Sequence, residues 1–162
     1  MIGSFPQFVT QEVCLACNGC CRFSGPNSCW RPKVLKRENF PEFKGHLTDD
    51  NYIKTLKYKD AVKCSFFYEI ENKCKVYPIR PFECHLYPFL LEKKGDNILL
   101  GVHLACPYVQ DHRGDKEFDK YVDYLKDFFL GGEAKELLGD YTKIANDYSK
   151  HEKEIEDLYI FG

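Results

Sequence analysis

The chain has 162 residues, 30% of them charged and 44% hydrophobic, and a net charge of −2. That is the balance of an ordinary soluble chain long enough to bury a core, most simply one domain over residues 1–162. The charge gives no electrostatic footprint for nucleic acid, and no apolar run approaches the roughly 18 residues of a membrane span.

The N-terminal stretch to Val13 carries no basic region followed by a long apolar one, so no secretory signal is legible and a cytoplasmic location is expected. There, clustered cysteines more often hold metal than form disulfides. The nine cysteines are an odd number, and 13 Phe and 11 Tyr can build a core without staples. Both facts favour metal over a disulfide framework.

The elements follow in chain order. Cys14, Cys17, Cys20 and Cys21 stand in C-L-A-C-N-G-C-C, and residues 14–32, punctuated by Gly19, Gly25, Pro26 and Asn27, read as a loop wrapped on a site. In 33–60, Thr48-Asp49-Asp50 forms a plausible N-cap, and one short helix is expected with Ile53 and Leu56 inward. Cys64 to Ile70 reads as a strand. Glu71-Asn72-Lys73 turns it, and Cys74 to Tyr77 returns, giving a hairpin with a cysteine on each arm. A second hairpin is predicted from Phe89-Leu90-Leu91 through Lys94-Gly95-Asp96-Asn97 to Ile98–Val102.

The cysteine-free last third begins near Cys106-Pro107 to Gly114. Phe118, Tyr121, Val122, Leu125, Phe128 and Phe129 form a helical stripe over Asp115–Leu130, broken by Gly131-Gly132. Ala134, Leu137, Leu138, Tyr141, Ile144, Ala145 and Tyr148 continue the period as a second helix. Ile155, Leu158 and Tyr159 extend it or make a third. The fold class expected is therefore α+β. A small irregular cysteine-rich metal-binding core (14–106) with short β-hairpins is covered by C-terminal amphipathic helices (115–160).

C-x2-C is a short chelate: both sulfurs reach one centre, and the backbone N–H groups between them can point at sulfur. Cys14-x2-Cys17-x2-Cys20 exceeds the usual zinc pair and matches the first three cysteines of the bacterial ferredoxin run. The fourth, C-P, element is absent locally but occurs at Cys106-Pro107. Cys64, Cys74 and Cys84 follow at steps of ten, and Cys84 lies in a proline-stiffened stretch, Tyr77 to Pro88. Arg80 can offset thiolate charge there, or sit in an ordinary surface turn. His85 and His103 are each close to a cysteine in sequence; a mixed ligand is one reading of each, but the favoured one is a neighbour pointing away, because adjacent residues in extended chain alternate faces. Cys29, beside Trp30, reads as a buried free thiol rather than a ligand.

These residues resemble the YkgJ-like cysteine-cluster family, described as zinc- or iron-chelating proteins with a CxxCxxCC signature. The resemblance rests on residues 14–21, on Lys63-Cys64-Ser65-Phe66, and on C-x-x-Y-x-x-R-P-x-x-C from Cys74 to Cys84, which continues through His85-Leu86-Tyr87-Pro88. Cys106 matches the family's late cysteine, and no known motif covers the tail from Asp115. The resemblance implies that Cys14, Cys17, Cys20, Cys21, Cys64, Cys74, Cys84 and Cys106 are metal ligands. The same module occurs in proteins similar to flagellin lysine N-methylase, where it is thought to hold an iron–sulfur cluster.

Three functions follow. The first is a cytosolic protein holding an iron–sulfur cluster, of the 4Fe-4S type, with a redox or protein-modification role and a redox or other protein partner. The second is a structural four-cysteine zinc module that presents its helices to a protein partner. The third is part of a methyltransferase-like enzyme, for which no glycine-rich cofactor loop is present. No catalytic residue is assigned, and no nucleic-acid or membrane partner is expected.

Overall fold

The computed structural model describes residues 5–17 and 19–161. Asn18, inside the CxxCxxCC run, and the ends of the 1–162 span lie outside the described residues. In chain order the elements are α1 (Gln11–Ala16), β1 (Arg22–Phe23), β2 (Thr55–Tyr58), β3 (Ala61–Cys64), β4 (Phe67–Tyr68), β5 (Lys73–Cys74), α2 (Phe82–Leu86), β6 (Phe89–Lys94), β7 (Asn97–His103), α3 (Pro107–His112), α4 (Lys116–Leu130), α5 (Glu133–Leu138) and β8 (Ile155–Ile160). The fold is α+β, with antiparallel sheets ordered β1-β3-β2, β4-β5 and β6-β7-β8.

The last sheet starts from the predicted hairpin. Phe89 pairs with Val102 and Lys94 with Asn97, leaving Gly95-Asp96 as a two-residue turn with Gly95 at φ 59°. On this sheet lies the predicted stripe of α4, with Asp115 at its N-cap and Phe118, Val122, Leu125, Phe128 and Phe129 buried. Phe89 meets the Phe118 ring at 5.6 Å and the Tyr121 ring at 5.2 Å. Each such buried side chain contributes on the order of 1.5–3 kcal/mol.

Four expectations are corrected. Cys14 lies in a short helix, α1, rather than a loop, and Gly19–Cys21 forms a single 3-10 turn. The helix expected after Thr48 is absent: Thr48 closes a turn, accepting the Tyr52 N–H on Oγ1 at 3.0 Å, while Asn51 takes φ 66°. The chain then leaves as an extended segment in which Ile53 is buried and Leu56 is exposed. Cys64 is not on the small hairpin. It ends β3, and only Cys74 belongs to the β4–β5 pair, opposite Phe67.

The fourth correction concerns the tail. The second helix stops at Leu138, because Gly139 takes φ 73°, ψ −130°, a conformation that suits glycine. Tyr141–Ile144 and Ser149–Glu154 are 3-10 segments. Ile155, Leu158 and Tyr159 lie in strand β8, where Ile155 faces His103 and Tyr159 faces Leu100. The open edge of β7 supplies backbone partners that outweigh a weak helical spacing in so short a segment. Gly101 permits this closure: a Cβ there would stand 2.9 Å from Ile155 Cγ2 and 3.2 Å from Leu90 Cδ1.

The core has two main parts. One gathers Phe5, Phe8, β6, β7, α4 and α5, and includes Cys106 with Cys14 packed on it. The other gathers Phe23, Val34, Phe43, Ile53, Phe66, Phe67 and Val76, and includes Cys64 with Cys21 and Cys74 packed on it.

Candidate metal centre

A cavity of about 200 Å³ lies where the cysteine-bearing segments meet. Cys14, Cys17, Cys20, Cys21, Cys64, Cys74 and Cys84 all line it. Cys106 is buried outside that lining. Its sulfur is still near enough to those of Cys17 and Cys20 for their charges to interact. Cys17 and Cys20 are exposed, whereas Cys64 and Cys106 are buried. None of the nine cysteines is in a disulfide.

Several elements aim these thiols. Asn72, at φ 52°, donates to the Leu15 carbonyl at 3.2 Å and the Ala16 carbonyl at 3.4 Å, which ties the β4–β5 turn to the end of α1. Cys84 rides on α2, whose first amide, Phe82 N–H, donates to Glu38 Oε1 at 2.6 Å. The other Glu38 oxygen accepts from Leu35 N–H at 2.9 Å. Glu83, next to Cys84, accepts from Lys33 N–H at 2.6 Å. Burial pushes the Glu38 carboxyl up to about 7 and the Glu83 carboxyl up to about 8.

Backbone amides point at sulfur, at cysteines that lie outside the C-x2-C run. Phe66 and Phe67 N–H groups face Cys64, Val76 N–H faces Cys74, and Tyr108 and Val109 N–H groups face Cys106. Such donors favour thiolate over thiol. Burial opposes them. It raises Cys64 to about 12, with Cys74 and Cys20 adding repulsion, and it raises Cys14, Cys74 and Cys106 as well. Cys84 is pushed well up, by burial and then by Cys64, Cys20 and Cys74. The Cys21 thiol donates to Cys20, which lowers Cys20 and raises Cys21.

Arg80 is the fixed cation of this wall. It is buried, and its guanidinium lowers Cys14, Cys20 and Cys74. It lies 3.7 Å from the Tyr77 ring centre, donates to the Tyr77 carbonyl at 2.7 Å and bonds Gln7 Oε1. Among the described residues no carboxylate pairs with it. A buried cation without a carboxylate needs another anion. Its neighbours here are the thiols, so the surface-turn alternative for Arg80 does not hold.

The donor set therefore fits a soft metal or a cluster. Eight thiols are electrostatically linked, with N–H donors on four of them, Cys20, Cys64, Cys74 and Cys106, and a buried arginine beside them. Among the described residues no three His, Cys, Asp or Glu side chains already meet at the spacing of a single ion. The thiols form a wall rather than a point.

The histidines contribute less. His85 is buried in α2 away from the cavity lining, and desolvation lowers it to about 4. His103 lines the cavity but is engaged: it stacks on Trp30 at 3.9 Å and its Nδ1 bonds the Tyr87 hydroxyl at 2.9 Å. Cys29 stays outside the cavity, packed by Leu90, Tyr148 and Ile155. Sequence reasoning missed Glu38, Glu83 and the Asn72 clamp, since nothing local marks a residue whose partners are about 44 to 57 positions away. Tyr77, whose hydroxyl faces Cys14, was visible as part of C-x-x-Y-x-x-R-P-x-x-C.

The model of the CxxCxxCC family, described as "Putative zinc- or iron-chelating domain", matches residues 13–115. The chain belongs to this family, and metal binding is the property that membership carries. No curated protein and no solved structure matches the chain. No helix among the described residues is long and apolar enough to cross a membrane.

Proposed function

We propose that this member of the CxxCxxCC family holds an iron–sulfur cluster, of the 4Fe-4S type, on its cysteine wall and works in the cytosol in electron transfer or protein modification. The observation that carries this reading is the wall itself: linked thiols around one cavity, with a buried arginine that has no carboxylate partner among the described residues. A cluster spreads its ligands, since each thiolate binds a different iron, whereas tetrahedral zinc draws four sulfurs to one point at about 2.3 Å. The run Cys14-x2-Cys17-x2-Cys20 and the N–H groups facing Cys64, Cys74 and Cys106 support the same choice.

When bound, the cluster supplies one-electron chemistry. The chain's residues do the rest. Thiolates hold the iron, Arg80 offsets their charge, and the buried faces of Cys64 and Cys106 keep water from the inner side. An electron partner would approach at Cys17, an exposed residue at the lining of the cavity.

Structural zinc is the second reading, favoured by the four-cysteine sites zinc accepts readily. In that reading the helices were to meet a partner, yet the apolar face of α4 is already buried on β6 and β7. A methyltransferase reading gains nothing from Gly131-Gly132, which only separates α4 from α5. Iron and acid-labile sulfide content of the protein prepared without oxygen tests the proposal. Matching iron and sulfide are expected; zinc without sulfide would overturn it.

A further inference from the structure

A short antiparallel ladder borders two hollows. Lys33 lies opposite Tyr52, Val34 N–H donates to the Asn51 carbonyl at 2.8 Å, and Ile53 N–H donates to the Pro32 carbonyl at 2.9 Å. Pro32 and Ile53 line the cysteine cavity. Lys33, Val34 and Asn51 line a separate groove of about 520 Å³, which the 3-10 turn Lys36–Glu38 and the chain after α5 complete.

The groove has an apolar floor and a basic rim. Val34, Leu35 and Leu138 are buried in it. Four cations, Lys33, Lys36, Arg37 and Lys143, face two carboxylates, Asp50 and Asp140. Both carboxylates already accept from hydroxyls, Asp50 from Thr48 and Asp140 from Thr142. Among the described residues none of the four cations makes an ion pair. Arg37 donates to the Glu136 carbonyl and comes so close to Gly139 that a Cβ there would stand 3.2 Å from its Nε. One cation is thus anchored at the end of α5, while Lys36 and Lys143 are exposed. The whole chain carries −2, so this positive excess is a local property of the groove.

The lining selects the kind of anion. It contains no aromatic ring on which a nucleotide base could stack. Three of the four cations are lysines, point charges on flexible stems rather than planar forks that grip a phosphate in two places. Spread ammonium groups above an aliphatic floor suit several carboxylates carried along a flexible chain, with the side-chain methylenes lying on the floor.

We infer that this groove docks an acidic segment, rich in Asp and Glu, of a protein partner. The inference is independent of which metal the thiols hold. It places that partner one ladder away from the cysteine cavity, on the segment whose Lys33 N–H holds Glu83 beside Cys84.

The test titrates a fluorescent hexaglutamate peptide with the metal-loaded full chain and reads anisotropy. Saturable binding is expected at low salt. It should weaken about tenfold or more between roughly 0.01 and 0.1 M salt, as the screening length falls from about 30 to about 10 Å. Lys36→Glu with Lys143→Glu should cost about tenfold or more, since like charges then face each other. Lys116→Glu with Lys120→Glu, an equal change of net charge outside the groove, should leave the affinity unaltered. If the groove reversal does not fold, Lys36→Gln with Lys143→Gln replaces it, and a smaller loss confined to the groove pair is expected. No saturable binding, or equal losses in the groove and control variants, would overturn the inference. Displacement of the peptide by pyrophosphate or a short RNA at lower concentration than by unlabelled peptide would also overturn it, in favour of a phosphate ligand.

Discussion

The Arg80 guanidinium lies 3.7 Å from the centre of the Tyr77 ring and is held there by the Tyr77 carbonyl and by Gln7. This stacking fixes a buried positive charge against Cys14, Cys20 and Cys74 before any metal arrives. Four thiolates around one divalent ion leave net negative charge, so a second cation is worth most where water is excluded. Arg80→Gln should weaken metal retention on the order of 10–100-fold, the usual effect of losing an outer-shell partner. Arg80→Lys should restore only part of it, because an ammonium does not stack flat on Tyr77. Chelator competition measures both. Retention unchanged in Arg80→Gln would remove Arg80 from the account.

Glu38 links two segments that the sequence keeps 44 residues apart, accepting from Leu35 N–H and Phe82 N–H. Burial raises its folded-state value from 4.5 to about 7. The fold therefore favours the protonated form. The contribution is complete below about 4.5 and is lost as pH rises through about 7, at most on the order of 3 kcal/mol. Melting curves of the metal-loaded protein from pH 5 to 8, with and without Glu38→Gln, isolate it. The unaltered protein should lose more stability over that range than the variant. Parallel curves would show that Glu38 is already ionised at low pH.

Gly101 stands where β8 closes on β6 and β7, and a Cβ would meet Ile155 Cγ2 at 2.9 Å. Gly101→Ala should destabilise by roughly 1–3 kcal/mol, a loss of a few degrees in Tm. Metal content should be unaffected, because none of the cysteines lies on this sheet. A Tm equal to that of the unaltered protein would mean that β8 gives way freely.

Cys29 packs against Leu90, Tyr148 and Ile155, and its carbonyl accepts from Asn146. Cys29→Ser should leave metal content at the unaltered level, whereas Cys17→Ser should lower it. Equal losses in the two would place Cys29 among the ligands.

Metal removal should act unevenly. The segments carrying Cys14 to Cys84 hold short elements of two to six residues, and they converge on the cavity. The sheet β6-β7-β8 and α4 have a core of their own. Hydrogen exchange after chelation should lose protection in α1 and β1 to β5 and keep it in β6, β7 and α4. Uniform protection with and without metal would show that folding and metal binding are uncoupled.

Where the sequence carried a strong period, it foretold the structure. The six-position stripe of α4 and the β6–β7 hairpin with its Gly95 turn were legible because each is a local pattern with a local stop signal. Thr48-Asp49-Asp50 misled, because the same residues that cap helices also close turns, and only the Tyr52 and Asn51 hydrogen bonds decide between them. Ile155–Tyr159 misled because its spacing suits both periods and β7 chose strand. The cysteines could be named from their spacing. Their division across two core regions could not, because it depends on contacts between segments up to 92 residues apart, such as those carrying Cys14 and Cys106.

The most direct test of the central proposal is the iron, zinc and acid-labile sulfide content of the full chain purified without oxygen, read with its visible spectrum. The account predicts brown protein with iron and sulfide in matching amounts and a broad thiolate-to-iron absorption that bleaches in air. Colourless protein with zinc and no sulfide would contradict it and make the cysteine wall a structural support.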